Sequence, residues 1–246
     1  MTTGRVVFIT GAASGIGRAA AEAFLRRGWQ TALADVNVAA GKQAEAELRK
    51  LGECSFFTCD VTDDEMVRAA VSGAVAAYGR LDGAFNAAGI DGEHGKRTAE
   101  ATLDNWLRVI AVDLTGTFSC LRHEIPAILG SGGGSIVNCA STAGLRGATT
   151  VSAYTAAKHG VVGLTKVAAK EYGRDGLRVN AICPGTVDTP MFRASMSGFA
   201  DKLAAATPVG RLATPEEIAD VAVWLCAEAP SYLTGEIIAV DGGVGA

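Results

Sequence analysis

Tyr154 and Lys158 stand four residues apart in Tyr-Thr-Ala-Ala-Lys, and Ser141 lies thirteen residues before the tyrosine. If residues 152–172 are helical, an i, i+4 pair shares one face, which brings the Lys158 ammonium close to the Tyr154 phenol. A neighbouring cation favours phenolate. The pair therefore predicts a phenol pulled below its ordinary value of about 10, suited to general acid or base chemistry. Ser141 sits where a strand is expected to run into a loop, and its hydroxyl could hydrogen-bond a substrate oxygen whose charge changes during reaction. By itself a Tyr and a Lys on one helix amount to ordinary surface residues. A second signal of independent origin changes that weighting.

That signal is Thr10-Gly11-Ala12-Ala13-Ser14-Gly15-Ile16-Gly17, preceded by the apolar run Val6-Val7-Phe8-Ile9 and followed by the amphipathic stretch Arg18 to Arg27. Strand, glycine turn and helix in that order form the setting in which a backbone can approach a pyrophosphate, whose charge the helix N-terminus stabilises. The spacing is Gly-x-x-x-Gly-x-Gly. The next expected strand, Thr31 to Ala34, ends in Asp35 about twenty residues beyond the glycines, where a carboxylate can accept hydrogen bonds from an adenosine ribose.

With these motifs in view, the chain resembles the short-chain dehydrogenase/reductase family in its single-domain branch, over essentially all 246 residues. The resemblance is carried further by Asp60-Val61, Asn86-Ala87-Ala88-Gly89, Asn138-Cys139-Ala140-Ser141, Pro184-Gly185-Thr186-Val187-Asp188-Thr189 and Asp241-Gly242-Gly243, in that order. It implies Tyr154 as catalytic acid/base, Lys158 as the residue that binds the nicotinamide ribose and supports the phenolate, and Ser141 as the group that orients the substrate oxygen. It also implies cofactor contacts at Gly11, Ser14, Gly15, Ile16, Gly17, Asp35, Asp60, Val61, Asn86, Gly89, Pro184, Gly185, Val187 and Thr189. Asp60 could equally cap the helix that starts near Asp63. NAD is expected over NADP, because Asp35 would repel a 2′-phosphate and Ser14 stands where NADP-preferring relatives often carry a base. Asp113 departs from the family, which usually has Asn there in a catalytic tetrad; Asp keeps the acceptor and loses the amide donor. A homotetramer is implied as well.

Stepping outward, β-rich runs alternate with helical patterns without a linker or repeat. Strands are expected near 5–10, 30–35, 54–59, 82–86, 134–140, 177–182 and 236–240. Helices are expected near 15–27, 38–51, 63–78, 101–129, 152–173 and 214–228. Such alternation with right-handed crossovers predicts a doubly wound parallel sheet of seven strands, a Rossmann fold in three α/β/α layers within one domain, with its ligand site at the carboxyl ends of the strands. Every motif except the Tyr154 and Lys158 pair falls at or just after such an end.

Composition sets limits. A net charge of −4 with no Lys/Arg run argues against nucleic acid. Six cysteines without a Cys-x-x-Cys pair read as reduced core thiols in a cytoplasmic protein, and no metal spacing is present. A core strand beginning by Arg5 leaves no room for a signal peptide, and the uncharged stretch 125–145 contains Pro, Asn and five glycines, which rules it out as a membrane span.

Substrate identity is less legible. Residues 190–207 resemble the family's mobile lid and carry Met191, Phe192, Met196 and Phe199, which suits a small apolar or ring-bearing substrate; an ordinary amphipathic helix is the competing reading. The charged segment 90–97, with Asp91, Glu93, His94, Lys96 and Arg97, is read as a solvated loop, and His94, His123 and His159 are assigned no function. The reading is thus an NAD-dependent alcohol dehydrogenase or ketone reductase. The runner-up is a 3-oxoacyl-thioester reductase, which would need a basic patch such as Arg122, Arg146 and Arg174 could supply. A non-catalytic dinucleotide sensor is the third, and it predicts loss of Ser141, Tyr154 or Lys158.

Overall fold

Val6-Val7-Phe8-Ile9 has no polar interruption, as a strand covered on both faces requires, and it forms β1 (Val6–Thr10) with every residue buried. The structure, a computed structural model, describes residues 4–246; the first three residues, on which the signal-peptide expectation partly rests, lie outside the described residues. After β1 come α1 (Gly15–Arg26), β2 (Gln30–Asp35), α2 (Val38–Leu48), β3 (Cys54–Thr58), α3 (Asp64–Tyr78) and β4 (Gly83–Asn86). The second half adds α4 (Leu103–Val109), α5 (Gly116–Gly130), β5 (Gly134–Cys139), α6 (Ser152–Tyr172), β6 (Leu177–Pro184), α7 (Pro190–Ser195), α8 (Ala200–Ala206), α9 (Pro215–Ala227) and β7 (Ile237–Val240).

The strands form one parallel seven-stranded sheet in the order β3-β2-β1-β4-β5-β6-β7. Alternate side chains of β1 feed the two faces. Val6 and Phe8 join Leu81, Ile136 and Leu177 on the side of α3 and α5, whereas Val7 and Ile9 join Phe24, Leu33, Phe85 and Ile218 under α1 and α9. The expected three-layer fold is therefore present. The chain leaves β1 toward β2 on one side and later returns to place β4 on the other, and that reversal opens a crevice above the carboxyl ends of the strands.

Local chemistry sets the helix ends. Asp63 caps α3 by accepting from the Glu65 and Met66 N–H groups, and Gly79 ends it in the left-handed region at φ +81°. Thr214 and Glu217 cap each other's backbone at the start of α9, with Pro215 in the first turn.

The helix expected over 101–129 is not uniform: between α4 and α5 the turn Ile110–Thr115 is π-helical. Its extra residue leaves backbone groups poorly matched to an α ladder. Thr117 Oγ1 compensates by donating to the Asp113 carbonyl at 2.8 Å. Among the described residues no helix is long and apolar enough to cross a membrane, and no His, Cys, Asp or Glu cluster could hold a metal ion. All six cysteines are free.

Candidate active site

The turn after β1 is shaped by two glycines for which no other residue fits. Gly11 has φ +66°, and a Cβ on it would lie 2.9 Å from Ala88 N; a Cβ on Gly17 would lie 2.3 Å from the Gly11 carbonyl oxygen. Thr10 Oγ1 accepts from both Ala87 and Ala88 N–H, at 3.1 and 3.2 Å, which ties the segment after β4 to the glycine turn. The result is a cleft of about 530 Å3 at the N-terminus of α1, lined by Gly11, Ser14, Gly15, Ile16 and Gly17 on one wall. Asp35, Asp60, Val61, Gly89 and Thr189 complete it. Its shape and its donor-rich helix end fit a dinucleotide, with the pyrophosphate at the glycine turn.

Asp35 lines one wall of this cleft. Its Oδ2 accepts from Ala13 N at 3.0 Å and its Oδ1 from Asn37 N at 2.9 Å, so the carboxylate is fixed by backbone donors at the end of β2. Asp60 does not cap α3, since Asp63 does; Asp60 Oδ1 instead accepts from the Thr62 N–H and hydroxyl.

The Asn86 side chain is engaged inside the protein, which leaves its backbone for the expected cofactor contact. Its side chain turns down into the protein, where Nδ2 donates to Glu124 Oε2 and Asn138 Oδ1, each at 3.0 Å, while Asn138 Nδ2 donates to Thr165 Oγ1 at 2.9 Å. The physical reason is the fully buried Glu124 on α5, whose acceptors would otherwise have no donor. Burial pushes the Glu124 carboxyl up to about 8, opposed by the Asn86 bond.

A second cavity of about 310 Å3 continues from the first and contains Ser141, Tyr154 and Lys158 together. Ser141 ends the stretch after β5 and caps a short 3-10 turn, its Oγ accepting from Ala143 N at 3.1 Å. α6 puts Tyr154 and Lys158 on one face, the Lys158 Nζ 5.4 Å from the Tyr154 ring centre. Nζ donates to the Cys139 carbonyl at 3.1 Å and stands 3.3 Å from Asp113 Oδ2. Asp113 is wholly buried at the π-helical turn, and its Oδ1 accepts from Ile90 N at 2.9 Å. The departure from the family thus points inward, at the lysine.

Charge balance in this cavity differs from the simple expectation for a Tyr beside a Lys. Burial raises the Tyr154 phenol above its usual value, and Lys158 opposes the rise without overcoming it, with Asp113 and Cys139 adding to it. Burial also acts to lower Lys158, but the Asp113 carboxylate and the phenol outweigh it and hold the ammonium above its usual range. For Asp113, burial raises the carboxyl against the pull of Lys158.

Pro184, which ends β6, and Gly185, Val187 and Thr189, which follow it, line this cavity; a Cβ at Gly185 would sit 2.9 Å from Asp241 Cα. Thr189 Oγ1 caps α7 by accepting from Phe192 N. Met191, Phe192 and Met196 face the cavity together with Leu203, whereas Phe199, expected among them, is exposed and does not line it. The segment 90–97 was expected to be solvated, but Asp91 and His94 form part of the cavity wall. His123 pairs with Asp64, and His159 bonds the Thr155 carbonyl. Thr10 and Arg108 also belong to the dinucleotide side, Thr10 by its loop bonds and Arg108 by lining the cleft.

A family described as enoyl-(acyl carrier protein) reductase matches residues 11–245. The chain is 43% identical over 245 residues to a 2,5-dichloro-2,5-cyclohexadiene-1,4-diol dehydrogenase of Sphingobium indicum, covering 98% of this chain and 97% of that one. It is 42% identical over 239 residues to a cyclohexanol dehydrogenase of Acinetobacter sp., covering 97% and 94%. Among solved structures, levodione reductase superposes with a TM-score of 0.94 at 37% identity, covering 97% of this chain and 96% of that one. Actinorhodin polyketide ketoreductase with NADPH superposes with a TM-score of 0.93 at 35% identity, covering 100% and 99%. The chain belongs to the short-chain dehydrogenase/reductase family, whose members bind a nicotinamide dinucleotide, and it is an oxidoreductase acting on CH–OH groups.

Proposed function

We propose that this enzyme interconverts a secondary alcohol and a ketone on a small ring-bearing substrate with NAD as cofactor. The observation that carries the reading is the single apolar cavity that holds Ser141, Tyr154 and Lys158 beside the dinucleotide cleft. The named substrates of the relatives, cyclohexanol and a cyclohexadiene diol, support a ring. Asp35, locked by two backbone donors, supports NAD, since a 2′-phosphate would bring a second negative charge against it. When bound, the nicotinamide supplies the carbon that accepts or donates hydride.

In alcohol oxidation, Tyr154 takes the hydroxyl proton. Lys158 favours the phenolate that must exist for that step, and Asp113 keeps Lys158 charged. Ser141 has an oxygen lone pair engaged by Ala143 N–H, and its hydroxyl, which meets the Tyr154 phenol, would donate to the substrate oxygen once that oxygen lies between them. Gly11, Ser14, Gly15, Ile16 and Gly17 would receive the pyrophosphate, Asp35 the adenosine ribose, and Asp60 and Val61 the adenine. Pro184, Gly185, Val187 and Thr189 would flank the carboxamide, with residues 190–207 as a lid within a single domain.

A cytoplasmic homotetramer belongs to the same reading. Trp106 and Leu107 on α4, Phe118 on α5 and Val167 on α6 are exposed, and Trp224 and Tyr232 are exposed elsewhere, as two-fold interfaces would require. A thioester reductase acting on an acidic carrier would need a basic patch, but Arg122 is engaged by Asp64 and Arg146 by the Val244 carbonyl. The deciding experiment follows reduced-cofactor absorbance across cyclic, aryl and aliphatic alcohols. Cyclic secondary alcohols should be turned over best, and no turnover of any class with NAD or NADP would overturn the proposal.

A further inference from the structure

The walls of the substrate cavity are apolar on most sides, with Ala143, Ala148, Val151, Met191, Phe192 and Met196. Against that background one polar group stands out. Asp91, His94 and Ser195 reach the cavity from two different segments, the stretch after β4 and the end of α7. Asp91 Oδ2 receives both contacts, from the Ser195 hydroxyl and from His94 Nε2, the latter at 2.9 Å. Asp91 Oδ1 and His94 Nδ1 have no hydrogen-bond partner among the described residues, and both side chains are less than a third exposed.

The stretch that carries them is held at several points. Ile90 N donates to Asp113 Oδ1 at 2.9 Å and Glu93 N to Asn105 Oδ1 at 2.9 Å, while Glu93 receives the Thr102 hydroxyl at 3.0 Å and Lys96 at 3.1 Å. The residue before Asp91 is thus tied to the same Asp113 that meets Lys158, and the residue before His94 to Asn105. A purely hydrocarbon ring filling this cavity would shield an acceptor and an imidazole nitrogen from water without replacing their hydrogen bonds, which is unfavourable. A ring with a second oxygen function would satisfy them: a hydroxyl donates to Asp91 Oδ1, and, because Nε2 already donates to Asp91, His94 Nδ1 accepts from a hydroxyl when the imidazole is neutral and donates to a carbonyl when it is doubly protonated.

We propose that Asp91, His94 and Ser195 form an anchor for a second oxygen on the substrate ring, distinct from the reacting one, and that the preferred substrates are cyclic diols, hydroxyketones or diones. This rests on the alcohol–ketone reading of the site and adds a second polar contact to it. Binding sites built to hydrogen-bond a substrate hydroxyl reject analogues that lack it far more strongly than apolar pockets reject an extra methylene.

The test compares kcat/KM for cyclohexane-1,4-diol and cyclohexanol in the wild type and in Asp91→Ala and His94→Phe. The wild type should favour the diol at least about tenfold, and each variant should lose most of that preference, chiefly through a higher KM for the diol, so that the ratio of kcat/KM for the two alcohols is the readout. The ratio is internal to each protein, so a variant with reduced active fraction still reports it. Wild-type turnover of both alcohols without preference, or an equal fall for both in the variants, would overturn the anchor while leaving the reaction intact. Turnover of neither alcohol by a protein that oxidises other secondary alcohols would overturn the anchor alone.

Discussion

Asp113 Oδ2 lies 3.3 Å from Lys158 Nζ, and both side chains are buried. Where the family usually offers an amide, this enzyme puts a charge. Asn at 113 could keep only one of the two contacts well, because the same group must accept from Ile90 N–H and face an ammonium. Asp113→Asn should retain kcat within about tenfold. Because Asp113 raises Tyr154, its neutralisation with Lys158 still charged should move the tyrosine limb of the pH-rate profile to lower pH. A fall of about a hundredfold or more in a variant that folds and binds NAD would establish dependence on the carboxylate.

Tyr154→Phe should lower kcat at least about a hundredfold while NAD affinity measured by fluorescence titration stays nearly unchanged, because the phenol acts on a proton and not on the pyrophosphate. Retention of more than about a twentieth of wild-type activity would remove Tyr154 from the acid/base role.

Asp35 should give NAD at least about a tenfold advantage over NADP in kcat/KM, which requires only about 1.4 kcal/mol. Asp35→Ser removes the negative charge and should narrow that ratio. An unmodified enzyme that favours NADP would refute the assignment.

Glu124 should make the fold less stable as pH rises. Its folded value of about 8 lies above the unfolded value near 4.3, so the native state binds the extra proton between those limits. Stability from this group is complete below the unfolded value and is lost progressively up to about pH 8. In urea titrations Glu124→Gln should therefore gain on wild type across that window, by at most about 1.4 kcal/mol per pH unit, and then level off. Parallel pH profiles for the two proteins would contradict a buried neutral acid at this position.

Light scattering should give about four times the 25.1 kDa chain mass. Replacing Trp106 and Phe118 by Glu should halve that mass, since both are exposed on the adjoining α4 and α5. A wild-type monomer at micromolar concentration would dismiss the tetramer.

How much of this was legible in the sequence depends on the range of the interactions involved. The strands were, because full burial writes itself as uninterrupted apolar runs such as Val6 to Ile9, and so was the glycine turn, because its steric demand is local. The π-helical turn at Ile110–Thr115 was not: it carries Asp113, whose contacts with Ile90 and Lys158 are far apart in sequence. Asn86 carries a family motif, yet its partner is Glu124, 38 positions away. The Tyr154 expectation failed for a related reason: spacing places the lysine correctly, but burial, a property of the assembled fold, decides the direction of the phenol's shift. Asp91 and His94 look like solvated charge until α7 comes to lie against them.

Thr189 and Met191 stand in the walls of both chambers, as do Ile16, Ala87, Gly89 and Ile90. A shared wall imposes a sequence in time. Whatever occupies the nucleotide side becomes the floor on which the ring must rest, so on the proposed reading the dinucleotide boards first and departs last. The alcohol would then meet a finished chamber only in the loaded enzyme, and a ketone-shaped inhibitor would compete with the alcohol while trapping the first arrival instead of displacing it.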